Sequence, residues 1–224
     1  MHICYDLRKI ELSQHDRPVV TLGTFDGVHL GHKAILQRVV EQAQKSQKKS
    51  VLLTYHPHPR QVLNPGQPVK LLTTLEEKIK LIESFGLAEM VVLNFDQVLA
   101  NTEARQFVND ILVKRLLPGY LVVGYDHGFG KNRQGGIDLL QEAGQVYGFP
   151  VEVVAPVKTG EENISSTKIS KRRLLHRRKL QLFFQIIQHL MHILLLDHVQ
   201  QADEHLHRKL HVRHGAVGIL DDNT

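Results

Sequence analysis

The chain of 224 residues contains a single cysteine, Cys4. One cysteine excludes an internal disulfide bond and is typical of a cytoplasmic protein. The first residues, Met1 to Arg8, include no long apolar stretch, so no secretory signal is indicated. The most apolar run, residues 182–196, is short and interrupted by glutamines and histidines, so no membrane span is predicted. We therefore expect a globular protein of the cytoplasm.

A strong excess of one charge is missing from most of the chain. The formal net charge is +5, but residues 1–170 hold 19 Lys and Arg against 18 Asp and Glu, whereas residues 171–224 hold 9 against 5. Because the positive charge lies near the end of the sequence, binding of nucleic acid by the body of the chain is not expected. The Walker A pattern, Gly-x-x-x-x-Gly-Lys-Ser/Thr, is also absent from the sequence.

Short apolar runs alternate with amphipathic stretches through the body of the chain. Strands are predicted over residues 19–22, 51–55, 90–93, 120–123 and 151–154. Helices are predicted over residues 33–45, from a cap at Thr74 to Gly86, from a cap at Thr102 through Lys114, and over 134–147. This alternation favours a parallel sheet with helices on both faces, a Rossmann-like α/β fold.

The composition changes after Ser170. Residues 171–224 contain no proline and hold 8 of the 15 histidines. Their leucines and isoleucines recur at helical spacing behind two clusters of Lys and Arg. We predict one α/β domain over residues 1–170 and a basic, His-rich helical tail over residues 171–224.

The most informative segment lies between the first predicted strand, residues 19–22, and the helix that follows it. Residues 23–32 read Gly-Thr-Phe-Asp-Gly-Val-His-Leu-Gly-His. The first N–H groups of a helix lack internal partners and the helix dipole is positive there, which favours a bound phosphate. Gly31 lets an anion approach the backbone closely. His29 and His32 share one face of the first turn, so both can donate hydrogen bonds to phosphate oxygens and stabilise charge in a transition state.

Three further segments carry polar residues at the ends of predicted elements. They are Thr-Tyr-His-Pro-His-Pro at 54–59, Gly-Tyr-Asp-His-Gly-Phe-Gly-Lys-Asn-Arg at 124–133 and Ile-Ser-Ser-Thr-Lys-Ile at 164–169. Taken singly, they could be a rigid turn, a basic loop and an ordinary helix cap. Strand-to-loop exits are also where binding sites are built.

The pattern His-x-Gly-His at 29–32 resembles the signature of the nucleotidyltransferase superfamily, which moves a nucleoside monophosphate from ATP or CTP onto an acceptor phosphate. The ten-residue form at 23–32 is similar to bacterial FAD synthetase, the flavin mononucleotide (FMN) adenylyltransferase. Segments resembling that family's Thr-x-x-Pro-His-Pro, Gly-x-Asp-Phe-x-Phe-Gly and Ser-Ser-Thr-x-Ile-Arg motifs follow in order. The resemblance runs from about Pro18 to Ile169.

The resemblance implies a nucleotidyltransferase fold and a reaction in which FMN and ATP give FAD and pyrophosphate, with Mg²⁺ bridging the phosphates. His29 and His32 are the expected catalytic residues. The residues expected to bind ATP are Gly23, Thr24, Phe25, Asp26, Gly31, Ser165, Ser166 and Thr167. Those expected on the flavin side are His58, Asp126, Phe129 and Arg133.

The sequence departs from the family pattern at two positions and in its tail. His127 stands where the family usually has an aromatic residue, and Ser170 stands where its arginine is expected. Loss of a guanidinium that neutralises pyrophosphate implies reduced activity, because a nearby lysine does not reproduce its bidentate contacts. The riboflavin kinase motif of bifunctional members is not found, so the tail suggests a changed reading frame or a replaced C-terminus.

Four alternatives stay open at this stage. His29, His32, His56 and His58 could bind zinc, although structural zinc sites usually use thiolates. The acceptor phosphate could belong to a molecule other than FMN. The basic tail could bind nucleic acid or an anionic membrane. The chain could also be a folded but catalytically impaired relative.

Overall fold

In the computed structural model, residues 1–10, 16–159 and 162–163 are described. The predicted helical tail over residues 171–224 lies outside them, so the tail and the domain boundary at Ser170 stay predictions. Within the described residues, no helix is long and apolar enough to cross a membrane.

Six parallel strands form the central sheet of the described part of the chain. They are β1 (His2–Cys4), β2 (Val19–Leu22), β3 (Ser50–His56), β4 (Glu89–Asn94), β5 (Tyr120–Gly124) and β6 (Val151–Val154). Their order is β1-β4-β3-β2-β5-β6, and every pair is parallel. A separate antiparallel pair consists of β7 (Lys158–Thr159) and β8 (Glu162–Asn163). The predicted parallel sheet is confirmed, and β1 is an additional edge strand.

Besides short 3₁₀ turns, six helices connect these strands in the described part of the chain. They are α1 (Leu30–Ser46), α2 (Pro59–Leu63), α3 (Leu75–Glu83), α4 (Gln97–Ala100), α5 (Ala104–Phe107, continued with π-helical hydrogen bonding over Val108–Leu116) and α6 (Ile137–Tyr147). The capping box predicted at Thr74 is present, because its hydroxyl accepts from the Glu77 amide while the Glu77 carboxylate accepts from the Thr74 amide.

Two predicted helix starts are wrong. Thr102 does not cap α5, since its hydroxyl donates to the Val98 carbonyl and Glu103 holds the cap position. The last predicted helix starts at Ile137 instead of residue 134, because the preceding residues form a short 3₁₀ turn and a backbone pair between Phe129 and Gly135. Turn geometry of this kind is not visible in apolar periodicity.

Helices cover both faces of the sheet, as predicted. Alternate residues of a strand point to opposite faces, so each face has its own core. On one face, α5 and α6 pack through Leu112, Leu116 and Leu140. On the other face, α1 and α3 pack through Leu36 and Ile82.

The strand order changes direction between β2 and β5. From β2 the chain adds β3 and β4 on one side, whereas β5 and β6 lie on the other side. The two loops that leave the carboxyl ends of β2 and β5 therefore diverge to opposite faces of the sheet. A crevice at this position is the usual ligand site of open α/β sheets.

Candidate nucleotide site

A cavity of about 490 Å³ opens at the carboxyl ends of β2 and β5. Every predicted site residue that the structure describes lines it: Gly23, Thr24, Phe25, Asp26, His29, Gly31, His32, His58, Asp126, Phe129 and Arg133. Ser165, Ser166 and Thr167 lie outside the described residues. Three segments that are distant in sequence thus meet at one crevice, and the roles assigned to these residues remain predictions.

The loop between β2 and α1 has an unusual backbone. Phe25, Gly27 and Val28 all have positive φ angles, of 49°, 74° and 36°. Phe25 and Val28 hold this conformation while their side chains are buried in the core. At Gly27 a Cβ atom would lie 2.5 Å from the side chain of Leu72, so only glycine fits that position.

Asp26 ties this loop to the segment that precedes α3. Its carboxylate is buried, with 7% of the residue exposed. One oxygen, Oδ1, accepts hydrogen bonds from the amides of Leu72 at 2.9 Å and Thr73 at 3.1 Å. The hydroxyl of Thr73 also lies 3.0 Å from the Gly27 amide. Asp26 was predicted to bind ATP, and these contacts give it a structural function in shaping the loop.

His29 and His32 form a stacked pair at the start of α1. Their ring centroids are 3.6 Å apart and their planes differ by 18°. His29 occupies the N-cap, where its Nδ1 accepts from the His32 amide at 3.4 Å. His32 is further held by the ring of Phe25, whose centroid lies 4.8 Å away. The Nδ1 atom of His32 is buried and has no hydrogen-bond partner.

Both imidazoles are neutral at pH 7. Burial, together with smaller contributions from the neighbouring His29 and Lys78, lowers the pKa of His32 to about 3. Burial also lowers the pKa of His29, although Asp126 and Asp26 oppose that shift. The pair can therefore donate hydrogen bonds without bringing permanent positive charge into the crevice.

The segment after β3 places a further histidine at the cavity. His58 caps α2, where its Nδ1 accepts from the Arg60 amide at 3.1 Å and its own amide donates to the Gln61 side chain at 3.0 Å. Burial lowers the pKa of His58. The zinc alternative is not supported, because the described residues, which include all four histidines concerned, contain no group of three or more metal-binding side chains.

The loop after β5 forms the opposite wall. Phe129 is buried against Phe107, with ring centroids 5.4 Å apart. The guanidinium of Arg133 donates to the Asp126 carbonyl at 3.1 Å, which bends the loop back on itself. The Nε2 atom of His127 is buried without a hydrogen-bond partner, and burial lowers the pKa of this imidazole to about 4.

The sequence analysis missed one buried charge, Lys78 on α3. Only 7% of the residue is exposed, and its ammonium donates to the Thr54 hydroxyl at 3.1 Å and to the Thr24 carbonyl at 3.2 Å. A signal was present, since Lys78 falls on the apolar stripe of α3, three residues after Leu75 and four before Ile82. A lysine within an apolar stripe is a candidate for a buried charge with a specific partner.

Several known proteins are similar to this chain. A family model described as FAD synthetase matches residues 11–168. Bifunctional riboflavin kinase/FMN adenylyltransferases of Buchnera aphidicola subsp. Schizaphis graminum and Escherichia coli K12 are 34% and 32% identical, and both alignments cover 75% of this chain. They cover 53% and 54% of those relatives, so the chain spans about half the length of the relatives it matches.

A solved structure supports the fold. A protein from Streptococcus pneumoniae, named as a macrolide-efflux protein, superposes with a TM-score of 0.66 at 25% identity and covers 76% of this chain and 56% of its own. The parallel α/β sheet is therefore shared with a known protein. The family match extends over more than half of the sequence and includes all the described segments that line the crevice. The chain belongs to the FAD synthetase family, a family of nucleotidyltransferases.

Proposed function

We propose that this chain is an FMN adenylyltransferase that transfers AMP from ATP to FMN and releases pyrophosphate. The observation that carries the proposal is the stacked pair of His29 and His32 at the start of α1, facing a crevice whose other wall carries Asp126 and Arg133. The relatives named as FMN adenylyltransferases support the choice of substrates. No riboflavin kinase activity is proposed for this chain.

The reaction requires one displacement at phosphorus. An oxygen of the FMN phosphate attacks the α-phosphorus of ATP, a new P–O bond forms, and the bond to the bridging oxygen breaks so that pyrophosphate leaves. Because no covalent enzyme intermediate is needed, the protein contributes positioning and charge stabilisation. His29 and His32 donate hydrogen bonds to the α-phosphate and the departing pyrophosphate, where negative charge develops.

The two walls divide the substrates between them. Gly23, Thr24, Phe25 and Gly31 shape the nucleotide side, and Asp26 acts as a positioning residue through its bonds to Leu72 and Thr73. His58, Asp126, Phe129 and Arg133 form the flavin side. Ser165, Ser166 and Thr167 hold the outer phosphates of ATP in this proposal.

The described residues contain no group of three or more side chains suited to hold a metal ion. In this proposal Mg²⁺ would be held mainly by the ATP phosphates, which is usual for that ion. When bound, Mg²⁺ supplies neutralisation of phosphate charge. The single cysteine, which is a free thiol, supports action in the cytoplasm.

The proposal is tested by incubating the protein with FMN, ATP and Mg²⁺ and separating FAD and pyrophosphate by chromatography. His29→Ala and His32→Ala should each lower the rate of FAD formation by about 10²–10³-fold, since each removes a donor aimed at developing charge. His2→Ala is the matched control, because the His2 side chain is 73% exposed and lies on the edge strand β1. A wild-type protein that forms no FAD, or histidine variants as active as wild type, would contradict the proposal.

Position 170 provides a second test. If the serine weakens pyrophosphate binding, Ser170→Arg should raise the turnover by about tenfold, because a guanidinium contact to phosphate is a charge-assisted hydrogen bond. The measurement is the initial rate of FAD formation at saturating FMN and ATP. An unchanged rate would show that this position does not limit activity.

A further inference from the structure

The ammonium of Lys78 lies directly behind the wall of the crevice. It donates to the carbonyl oxygens of Thr24 at 3.2 Å and Tyr55 at 3.4 Å and to the hydroxyl of Thr54 at 3.1 Å. Thr24 and Tyr55 both line the cavity. One side chain from α3 therefore links the carboxyl ends of β2 and β3 next to the nucleotide side.

The partners of Lys78 are neutral oxygens. Among the described residues, no carboxylate lies within ion-pair distance of this ammonium, and Asp26 acts on it only from farther away. Burying a charge without an opposite charge is costly, so buried lysines are normally paired. The three hydrogen bonds and the more distant Asp26 carboxylate compensate part of that cost, but within the described residues no ion pair neutralises the ammonium.

The groups around Lys78 favour an anion bound in the crevice, on the far side of the wall formed by Thr24 and Tyr55. His32 and His58 both interact electrostatically with Lys78, and burial lowers the pKa of each below the usual value, so both are neutral at pH 7. Burial lowers the pKa of Lys78 to about 8, so the ammonium is still mainly protonated at pH 7 and places a positive charge beneath this part of the crevice. A phosphate chain bound above Thr24 would meet a positive potential that does not need to be assembled during the reaction.

We propose that Lys78 is a positioning residue of the nucleotide site, whose buried charge is balanced by the phosphates of bound ATP and whose hydrogen bonds hold the Thr24 and Tyr55 walls together. This inference rests on the proposed function, because it takes ATP as the ligand. It differs from a purely structural function in one respect: removing the charge weakens the binding of phosphates more than the binding of the nucleoside.

The experiment compares ATP with adenosine. Binding of each is measured by calorimetry with wild type, Lys78→Gln and Lys78→Met, and thermal unfolding is recorded for all proteins. Glutamine keeps an N–H donor without the charge, whereas methionine removes both. Lys80→Gln is the matched control, since it makes the same charge change at an exposed position of α3.

Lys78→Gln is expected to weaken ATP binding by about tenfold, as expected for loss of a unit charge acting through a protein interior at a distance of several ångströms. Adenosine binding should stay at the wild-type value, and the KM for ATP should rise while the KM for FMN does not. Lys80→Gln should change none of these. If Lys78→Met does not fold, the binding of ATP and of adenosine is compared between wild type and Lys78→Gln alone.

Two results would overturn the inference. Equal losses for ATP and adenosine would show that Lys78 only maintains the wall, and unchanged ATP binding would show that its charge does not reach the phosphates. A wild-type protein that binds ATP but forms no FAD would refute the proposed function alone, because the ATP and adenosine comparison still applies. A wild-type protein that binds no ATP would refute both.

Discussion

The two loops that face each other across the crevice are fixed by different means. The loop after β2 is buried, and its carboxylate, Asp26, accepts two main-chain hydrogen bonds from residues 46 and 47 positions away. The loop after β5 is more exposed, with Tyr125 39% accessible. Main-chain bonds fasten its far end, where Phe129 and Gly135 exchange two hydrogen bonds and the Lys131 amide donates to the Thr102 carbonyl.

This difference implies that side chains of the two loops contribute unequally to the stability of the fold and to activity. A buried side chain that satisfies distant amides cannot be removed without leaving those amides unpaired. Exposed side chains that only face the cavity can be removed at little cost to folding. Substitutions in the β2 loop should therefore lower both stability and activity, whereas substitutions of the exposed β5-loop side chains, such as Asp126, should act mainly on activity.

The largest effect is expected from Gly27→Ala, which breaks the β2 loop. The residue has a φ of 74°, and a Cβ atom would overlap the side chain of Leu72. We expect a loss of about 3 kcal/mol in the free energy of unfolding, from the strained backbone together with the displaced side chain. Chemical denaturation followed by circular dichroism measures this loss.

Gly86→Ala is the matched control for that variant. Gly86 has a similar φ of 79°, but nothing lies within 4 Å of the position of its Cβ. Its substitution should cost only the left-handed backbone conformation, about 1–2 kcal/mol. Equal losses for Gly27→Ala and Gly86→Ala would mean that the contact with Leu72 does not constrain the loop.

Asp26→Ala and Asp126→Ala compare the two loops directly. Asp26→Ala should lower the free energy of unfolding by about 2 kcal/mol, because the amides of Leu72 and Thr73 lose their acceptor. Asp126 is exposed, so Asp126→Ala should change stability by no more than about 0.5 kcal/mol while lowering the rate of FAD formation. The reverse order of stabilities would refute the proposed division between the loops.

A smaller effect of opposite sign is expected from His127→Phe. Phenylalanine keeps an aromatic ring and removes a buried nitrogen that has no hydrogen-bond partner. We expect a gain of about 1 kcal/mol at pH 7, since the desolvated nitrogen no longer has to be buried. A variant less stable than wild type at pH 7 would contradict the buried position of this nitrogen.

The gain should grow in acid. An unfolded histidine takes up a proton near its ordinary pKa of 6.5, whereas folded His127 does so only near pH 4. The unfolded state therefore binds more protons in this range, and the stability of wild type falls as the pH drops from about 6.5 to 4. His127→Phe should lose less stability over the same range, measured by thermal unfolding at pH 7, 5.5 and 4.5.

The sequence predicted the regular elements better than the turns between them. Each of the five predicted strands is present, because mainly apolar runs such as Val19–Leu22, which is buried on both faces of the sheet, are typical of buried strands. The edge strand β1 was missed because three residues carry too little pattern. The cap at Thr102 was misassigned because a threonine hydroxyl can instead bond back to a carbonyl four residues earlier.

The residues that line the crevice were predictable from motifs, but which residues stabilise its walls was not. Asp26 stands among the predicted ligand-binding residues in the sequence, and only the fold shows that its carboxylate accepts from the amides of Leu72 and Thr73. Lys78 belongs to no motif, and its burial depends on where α3 packs against β3. Both depend on contacts between distant segments, which local sequence patterns do not encode.

The hydrogen bond between His29 and His32 at the N-terminus of α1 also determines the tautomer of His29. Because Nδ1 accepts from the His32 amide, the proton of the neutral ring must reside on Nε2. The nitrogen able to donate to a phosphate is thus determined by the first turn of the helix. His29→Asn would preserve an acceptor for the helix start but would carry no donor at the Nε2 position. One hydrogen bond therefore serves both the start of the helix and the placement of the donor proton, and in the proposed reaction the phosphate meets an imidazole whose proton is already on Nε2.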